Sequence, residues 1–367
     1  MHKKQKILFL SLYTFGFTGG IEKVCRAFLK ALSEFKEDGI IGEYKCLSMY
    51  DTQDDQRYTS VEKFKGFNGK RFSFGLAFIK HSLQSNIIVL SHINLLIFGW
   101  LIKKIKPATR LILFAHGIEI WKSLNDWKKT FLKNQVEIWA VSQYTAGRIQ
   151  EEHGIAADKL SVINNCLDPF FEVPKDFGKP IELLERYGLT KDRRIILTLT
   201  RLSSKEQYKG YDQVLSAISG LPEDIHYILA GKADEAEFRR VKKLLEQSEL
   251  QNRVTFTGFV AEEEITQHYL LADIFVMPST AEGFGISFIE ASACGCKVIA
   301  GNLDGSTDAL LNGELGTLIN PKSLVELQDA INSALANPVT PKKQQGKTLE
   351  NFAFSKYKQK LKQLLIH

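Results

Sequence analysis

The chain lacks the marks of several specialised classes. It has five cysteines, Cys25, Cys46, Cys166, Cys294 and Cys296, an odd number without metal-ligand spacing, and Cys294-Gly-Cys296 has one intervening residue where redox motifs have two. They are expected to be buried thiols in a reducing compartment. The longest apolar run, Leu95 to Ile102, falls far short of the roughly 20 residues that span a bilayer. The N-terminal MHKKQKILFLSLY has an apolar core of only about six residues, too short for a signal peptide, so a cytoplasmic protein is expected. No Asp-x-Asp stands in a strand-end loop, so neither a metal nor a resident cofactor is expected. No internal repeat or low-complexity segment interrupts the chain. No nucleic-acid-binding module accompanies the basic charge, and a pI of about 8.8 lies below the usual basic-domain mark, which excludes nucleic acid as the expected partner.

What is present fits a globular protein of two domains. A length of 367 residues exceeds the size at which one core keeps growing. Hydrophobic residues at 44% and charged residues at 25% are ordinary for a globular chain. The net charge of +6 is uneven: residues 1–172 carry 24 Lys and Arg against 17 Asp and Glu, whereas 173–367 carry 24 against 25. The basic half suits phosphorylated substrates or an anionic membrane surface. Leu95 to Lys106, with Trp100 and a cluster of lysines, reads as a core helix with a solvated basic end or as a surface that leans on anionic lipid.

Short apolar runs alternate with helical stripes from Lys6 onward, which predicts parallel sheets covered on both faces. Three prolines and a loss of periodicity mark 166–180 as a linker. The expected domains are 1–172 and 173–340, with 341–367 a terminal helix packing back on the first. Asn320-Pro321 is expected to start a helix as cap and first residue.

The stretch Asp273 to Ala300, DIFVMPSTAEGFGISFIEASACGCKVIA, predicts a strand, a small-residue loop, a helix from about Ile286, a glycine stop at Gly295 and a second strand. Glu282 and Glu290 stand in it with seven residues between them. Glutamates near a helix start also simply suit the helix dipole. Beside Gly283-Phe284-Gly285, however, the pair reads as a site for hydroxyls, with phosphate handled elsewhere. Other candidates stand where strands end. Gly19-Gly20 follows the first strand and opens a helix, an arrangement that favours anions. His116 follows the strand Arg110 to Phe114, a ligand position in open α/β sheets as well as a plausible structural one. Arg201 and Lys209 flank the loop after Arg194 to Thr200. Either these are exposed loop charges or they neutralise a leaving diphosphate. Gly231 is a further strand-end glycine, and Phe259 follows Thr257-Gly258.

The Glu-x7-Glu stretch, with Arg201, Lys209-Gly210, Gly19-Gly20 and His116 in His-Gly-x-Glu-x-Trp, resembles the retaining glycosyltransferases of family 4. The likeness spans nearly the whole chain, most closely Arg201 to Gly316. It implies the GT-B architecture, two doubly wound α/β domains facing across a cleft. It also implies transfer of a hexosyl unit from GDP-mannose or a UDP-sugar, with retention and without a metal, to a glycan, polyprenyl-phosphate-linked or sugar-phosphate acceptor. Arg201 and Lys209 would meet the diphosphate with Gly19 and Gly20. Glu282, Gly283, Phe284, Gly285 and Ile286 would hold the donor sugar, His116 would line it, Glu290 would meet the ribose, and Gly231 and Phe259 would lie by the nucleotide. A GT-B NDP-sugar epimerase and a non-catalytic nucleotide-sugar or glycan-binding protein are the alternatives.

Overall fold

A computed structural model describes residues 4–337 and 340–366; the outermost positions of the expected domains, 1–3, 338–339 and 367, lie outside the described residues. The chain divides into two units, one running to Phe170 and taking in the residues from Ala353 onward, the other Phe171–Phe352.

The first unit contains β1 (Lys6–Ser11), α1 (Gly20–Glu37), β2 (Glu43–Ser48), β3 (Phe64–Gly66), α2 (Arg71–Ser82), β4 (Ile87–Leu90) and α3 (Leu96–Ile105). It continues through β5 (Arg110–Ala115), α4 (Ile118–Trp121), α5 (Asp126–Gln135), β6 (Glu137–Ala140), α6 (Gln143–His153) and β7 (Leu160–Val162). In β1 every residue but Lys6 is buried, because a parallel strand covered on both faces needs a continuous apolar run. The seven strands pair in the order β3-β2-β1-β4-β5-β6-β7, and β1 pairs in parallel with both β2 and β4. Strand order therefore reverses at β1 and β4, where open α/β sheets bind ligands beyond their carboxyl ends. Phe28, Phe114 and Trp139 meet edge to face in the core, with ring centroids 5.2 and 5.5 Å apart along that series.

The second unit runs α7 (Ile181–Arg186), β8 (Arg194–Leu199), α8 (Tyr211–Ile218), β9 (Ile225–Ala230), α9 (Glu235–Gln247), β10 (Val254–Gly258) and α10 (Ile265–Leu271). It ends with β11 (Ile274–Met277), α11 (Ile286–Ala293), β12 (Lys297–Gly301), α12 (Ser306–Ala309), β13 (Thr317–Ile319), α13 (Leu324–Ala336) and α14 (Pro341–Phe352). The strand order is β10-β9-β8-β11-β12-β13, so the reversal falls between β8 and β11. That places the segments after Leu199 and after Met277 at the ligand-binding position of this sheet.

Two expectations are corrected. The helix expected at Asn320-Pro321 begins at Leu324, capped by Ser323, whose side chain accepts the Glu326 N–H. Asn320 makes a local turn instead, its side chain accepting the Lys322 N–H at 3.1 Å. The helix expected over 341–367 is two helices: α14 stays with the second unit, and α15 (Phe354–Ile366) belongs to the first. There Lys358 pairs with Glu34 of α1 at 2.6 Å, and Arg110 donates to the carbonyls of Leu364 and Leu365 at 2.6 and 3.2 Å.

Candidate active site

Lys209 and Glu282 meet in the second unit. Lys209 sits in a short turn ahead of α8 and Glu282 in the loop after β11, and the Nζ donates directly to Oε1 with both side chains largely buried. Burial by itself would lower the affinity of Lys209 for its proton. The Glu282 carboxylate, with smaller contributions from Tyr208 and Glu206, outweighs that effect and holds the ammonium well above the ordinary lysine range. The Tyr208 ring lies 5.5 Å from the same Nζ. Arg201 stands just beyond β8, more exposed, paired with Glu206 of its own loop.

The segment that carries Glu282 is fixed from two sides. The Thr280 N–H donates to the Tyr208 carbonyl at 2.9 Å, tying it to the Lys209 turn, and the Gly305 N–H donates to the Glu282 carbonyl at 2.8 Å. Asp304, fully buried, accepts the Glu282 N–H at 2.7 Å, the Ser279 hydroxyl at 2.6 Å and the Ser306 N–H at 2.9 Å. Burial pushes its carboxyl up to about 6 against these donors. Two glycines are needed for this packing. At Gly210, with φ +81°, a Cβ would come within 2.4 Å of the Pro278 carbonyl, and at Gly305 within 2.1 Å of the Gly283 carbonyl.

Phe284 serves as an anchor: it is 1% exposed and meets Phe352 of α14 edge-on at 5.6 Å. Gly283 and Gly285 on either side stay partly exposed, whereas Ile286, the first residue of α11, is buried. Glu290, one turn into α11, is 2% exposed, and the Tyr269 hydroxyl donates to it at 3.1 Å. At the β9 end the Gly231 N–H donates to the Gly258 carbonyl at 2.9 Å, and next to it Phe259 is 62% exposed.

The other predicted residues lie in the first unit. Gly19 caps α1 and Gly20 opens it. The loop before them closes on Asp51, whose buried carboxylate accepts the N–H groups of Thr14 and Gly16 at 2.7 Å each and of Phe15 at 3.3 Å. His116 follows β5. Its Nε2–H donates to the Ser91 carbonyl at 2.8 Å, which fixes the tautomer, and burial lowers its pKa to about 4. Its N–H is taken by Glu119 at 2.6 Å, a side chain reaching back to the start of a helix as in a capping box.

The sequence assigns no role to Asp304 or Asp51, nor to Glu119 within its motif. Asp304-Gly305-Ser306 is a turn signature that points to a side chain bonding its local backbone. Asp51 offers no comparable signal, because the loop it closes lies more than 30 residues away, although the Ser48 hydroxyl nearby also donates to it at 2.7 Å.

The profile described as glycosyl transferases group 1 matches residues 181–352, and the one described as glycosyltransferase family 4 matches residues 18–170. The GDP-mannose-dependent alpha-(1-6)-phosphatidylinositol monomannoside mannosyltransferase of Mycolicibacterium smegmatis is 30% identical over 246 residues, 63% of this chain. The serotype-specific mannosyltransferase WbdA of Escherichia coli is 27% identical over 206 residues, 54% of this chain. The aligned parts make up 62% of the first relative's length and 24% of the second's. Among solved structures, Anabaena Alr3699/HepE in complex with UDP and glucose has a TM-score of 0.78 at 21% identity, covering 98% of this chain and 99% of its own. Sucrose-phosphate synthase from Thermosynechococcus elongatus has a TM-score of 0.80 at 20% identity, covering 99% and 98%. These likenesses give the fold, that of the GT-B glycosyltransferases.

Proposed function

The chain belongs to the family-4, group-1 glycosyltransferases, and from that premise we propose that it moves a hexosyl unit from an NDP-sugar to an acceptor hydroxyl with retention at the anomeric carbon. The observation that carries the reading is the Lys209–Glu282 pair beyond β8 and β11. An ammonium meets phosphate oxygens and a carboxylate accepts sugar hydroxyls, so one pair addresses both ends of the bond to be broken. In the step, the bond from the anomeric carbon to the phosphate oxygen breaks while the acceptor oxygen bonds to the same face. The acceptor proton passes to the departing diphosphate.

Lys209 and Arg201 stabilise that diphosphate with charge that is fixed before reaction, so no metal is required. Glu282 holds sugar hydroxyls with the partly exposed backbone at Gly283 and Gly285, while Phe284 and Ile286 anchor that backbone. Glu290, oriented by Tyr269, is assigned to the ribose, and Gly231 with Phe259 to the base. In the first unit, the amides at Gly19 and Gly20 and the neutral imidazole of His116 are assigned to the same reaction as hydrogen-bonding groups.

GDP-mannose is the proposed donor, supported by the His-Gly-x-Glu-x-Trp setting of His116 and by the mannosyltransferase relatives. A lipid-linked glycan is the proposed acceptor, at a membrane surface, in the synthesis of a cell-surface polysaccharide or glycolipid. Thermal shifts with GDP-, UDP- and ADP-sugars test the donor, since a ligand at 100 times its Kd stabilises by about 2.7 kcal/mol. Transfer with excess EDTA, with the product configuration read by NMR, tests the chemistry. Retention without added metal is expected. Inversion, strict Mg²⁺ dependence, or a new sugar nucleotide formed from donor alone overturns the mechanism.

A further inference from the structure

Helix α2 is apolar on two opposite faces. Phe74 and Phe78 are buried and pack against Phe98 of α3, with centroids 5.1 Å apart in each case. On the other face Phe72, Leu76, Ile79 and Leu83 follow the i, i+4, i+7, i+11 spacing of one helical stripe, and all four are exposed, Phe72 to 81%. Helix α3 repeats the pattern: Leu96, Gly99 and Ile102 are buried, while Trp100, Leu101 and Ile105 face solvent. The apolar outer faces of these two adjacent helices are not needed for the core, and exposed apolar surface of this extent marks an interaction site.

Charge identifies what covers it. From Lys63 to Ile118 the sequence contains nine Lys and Arg and not one Asp or Glu. Lys70, Arg71, Lys80 and Lys104 are exposed among or beside the apolar residues. The Lys104 Nζ lies 5.6 Å from the Trp100 ring centroid, cation over aromatic. A second copy seated on the same face would set these cations against their own kind, so self-association is disfavoured. A bilayer with anionic headgroups satisfies both features, taking the apolar stripe into the boundary region and the lysines at its surface. No described helix is long and apolar enough to cross a membrane, so the contact lies in the plane of the interface.

We propose that the outer face of α2 and α3 docks on an anionic lipid bilayer. Flotation with phosphatidylglycerol-containing vesicles, without donor or acceptor, tests the docking apart from catalysis. The wild-type chain is expected to float with them, to stay behind with pure phosphatidylcholine, and to dissociate as salt rises. Trp100 emission should shift to the blue on binding. Phe72→Ser/Leu76→Ser/Ile79→Ser should abolish flotation. Lys70→Gln, Lys80→Gln and Lys104→Gln should each weaken partitioning roughly fivefold. All of these side chains are exposed, so unchanged thermal melts and unchanged transfer to a water-soluble acceptor are expected of every variant. The proposal is overturned if the wild-type chain ignores anionic vesicles at low salt, if the variants float equally well, or if they disrupt an oligomer instead.

Discussion

Burial weakens the hold of Lys209 on its proton, and Glu282 is the leading group that more than restores it. The two side chains fix each other before any ligand arrives, which is what a site that must stabilise developing negative charge requires. Lys209→Ala is expected to lower kcat by about 10²–10³, the ordinary effect of deleting one such donor. It also leaves Glu282 largely buried without its counter-charge, as Glu282→Gln would leave Lys209. Initial rates over a range of donor concentrations check this, and near-wild-type turnover in Lys209→Ala would refute the role. Arg201 offers a contrast. In its pair with Glu206 the Arg201 side chain is 64% exposed, and pairs of a solvated charge contribute little to stability. Arg201→Ala should therefore leave the unfolding midpoint within error while reducing turnover, so that any effect is read as chemistry and not as folding.

At the scale of elements, the segment 279–285 owes its shape to neighbours and not to itself. Asp304 holds it from one side, and Phe284 pins it to α14 through Phe352. Phe352→Ala is expected to cost the second unit about 3–5 kcal/mol, the usual figure for emptying an aromatic core site. Because the emptied space lies against Phe284, donor affinity should fall as well. Urea unfolding and a thermal shift with nucleotide sugar measure the two effects, and a destabilised variant with unchanged donor binding would separate the anchor from the site. The same distinction explains what was legible beforehand. The long buried strands and the stripes of α1 and α11 could be read because parallel sheets demand unbroken apolar runs and helices a regular spacing. The three-residue β3 and the helices α4 and α5 were missed, being too short or too polar to carry a pattern. Asn320 misled because Ser323, three residues on, competes for the same cap. The break at Ala353 has no glycine or proline to announce it. It is set by α14 packing in one unit and α15 in the other, which no local signal records. Glu282 and Lys209 were found by motif, but the contact between them bridges 73 residues of sequence.

For the whole molecule, the titrating groups predict how stability follows pH. Burial is the leading cause that lowers the proton affinity of His81, His92, His116, His226 and His268, with His116 and His226 brought to about 4. An unfolded histidine titrates near 6.5. Between about 4 and 6.5 the unfolded chain therefore binds more protons than the folded one at these sites, so their contribution to stability is present above 6.5 and is lost as the pH falls. Two carboxyls act the other way. Asp304, raised to about 6, and Glu119, also raised by burial, bind protons more tightly when folded, so their contribution is largest in acid and is lost as the pH climbs through the folded value. Five histidines oppose two carboxyls, and acid adds further positive charge to a chain already at +6. The unfolding midpoint is thus expected to be lower at pH 5 than at pH 7. His226, which is buried and bonded to the Thr255 hydroxyl at 2.8 Å, isolates one arm of the argument: His226→Gln should flatten the slope of unfolding free energy against pH. Asp304→Asn isolates the other. By removing an opposing titration it should steepen that slope, even though the variant is less stable at every pH for want of a full set of acceptors around Glu282 and Ser306. Denaturant titrations at half-unit intervals from pH 4.5 to 7 supply the slopes. A wild-type midpoint that rises toward acid would mean that the buried carboxyls, and not the histidines, govern the balance.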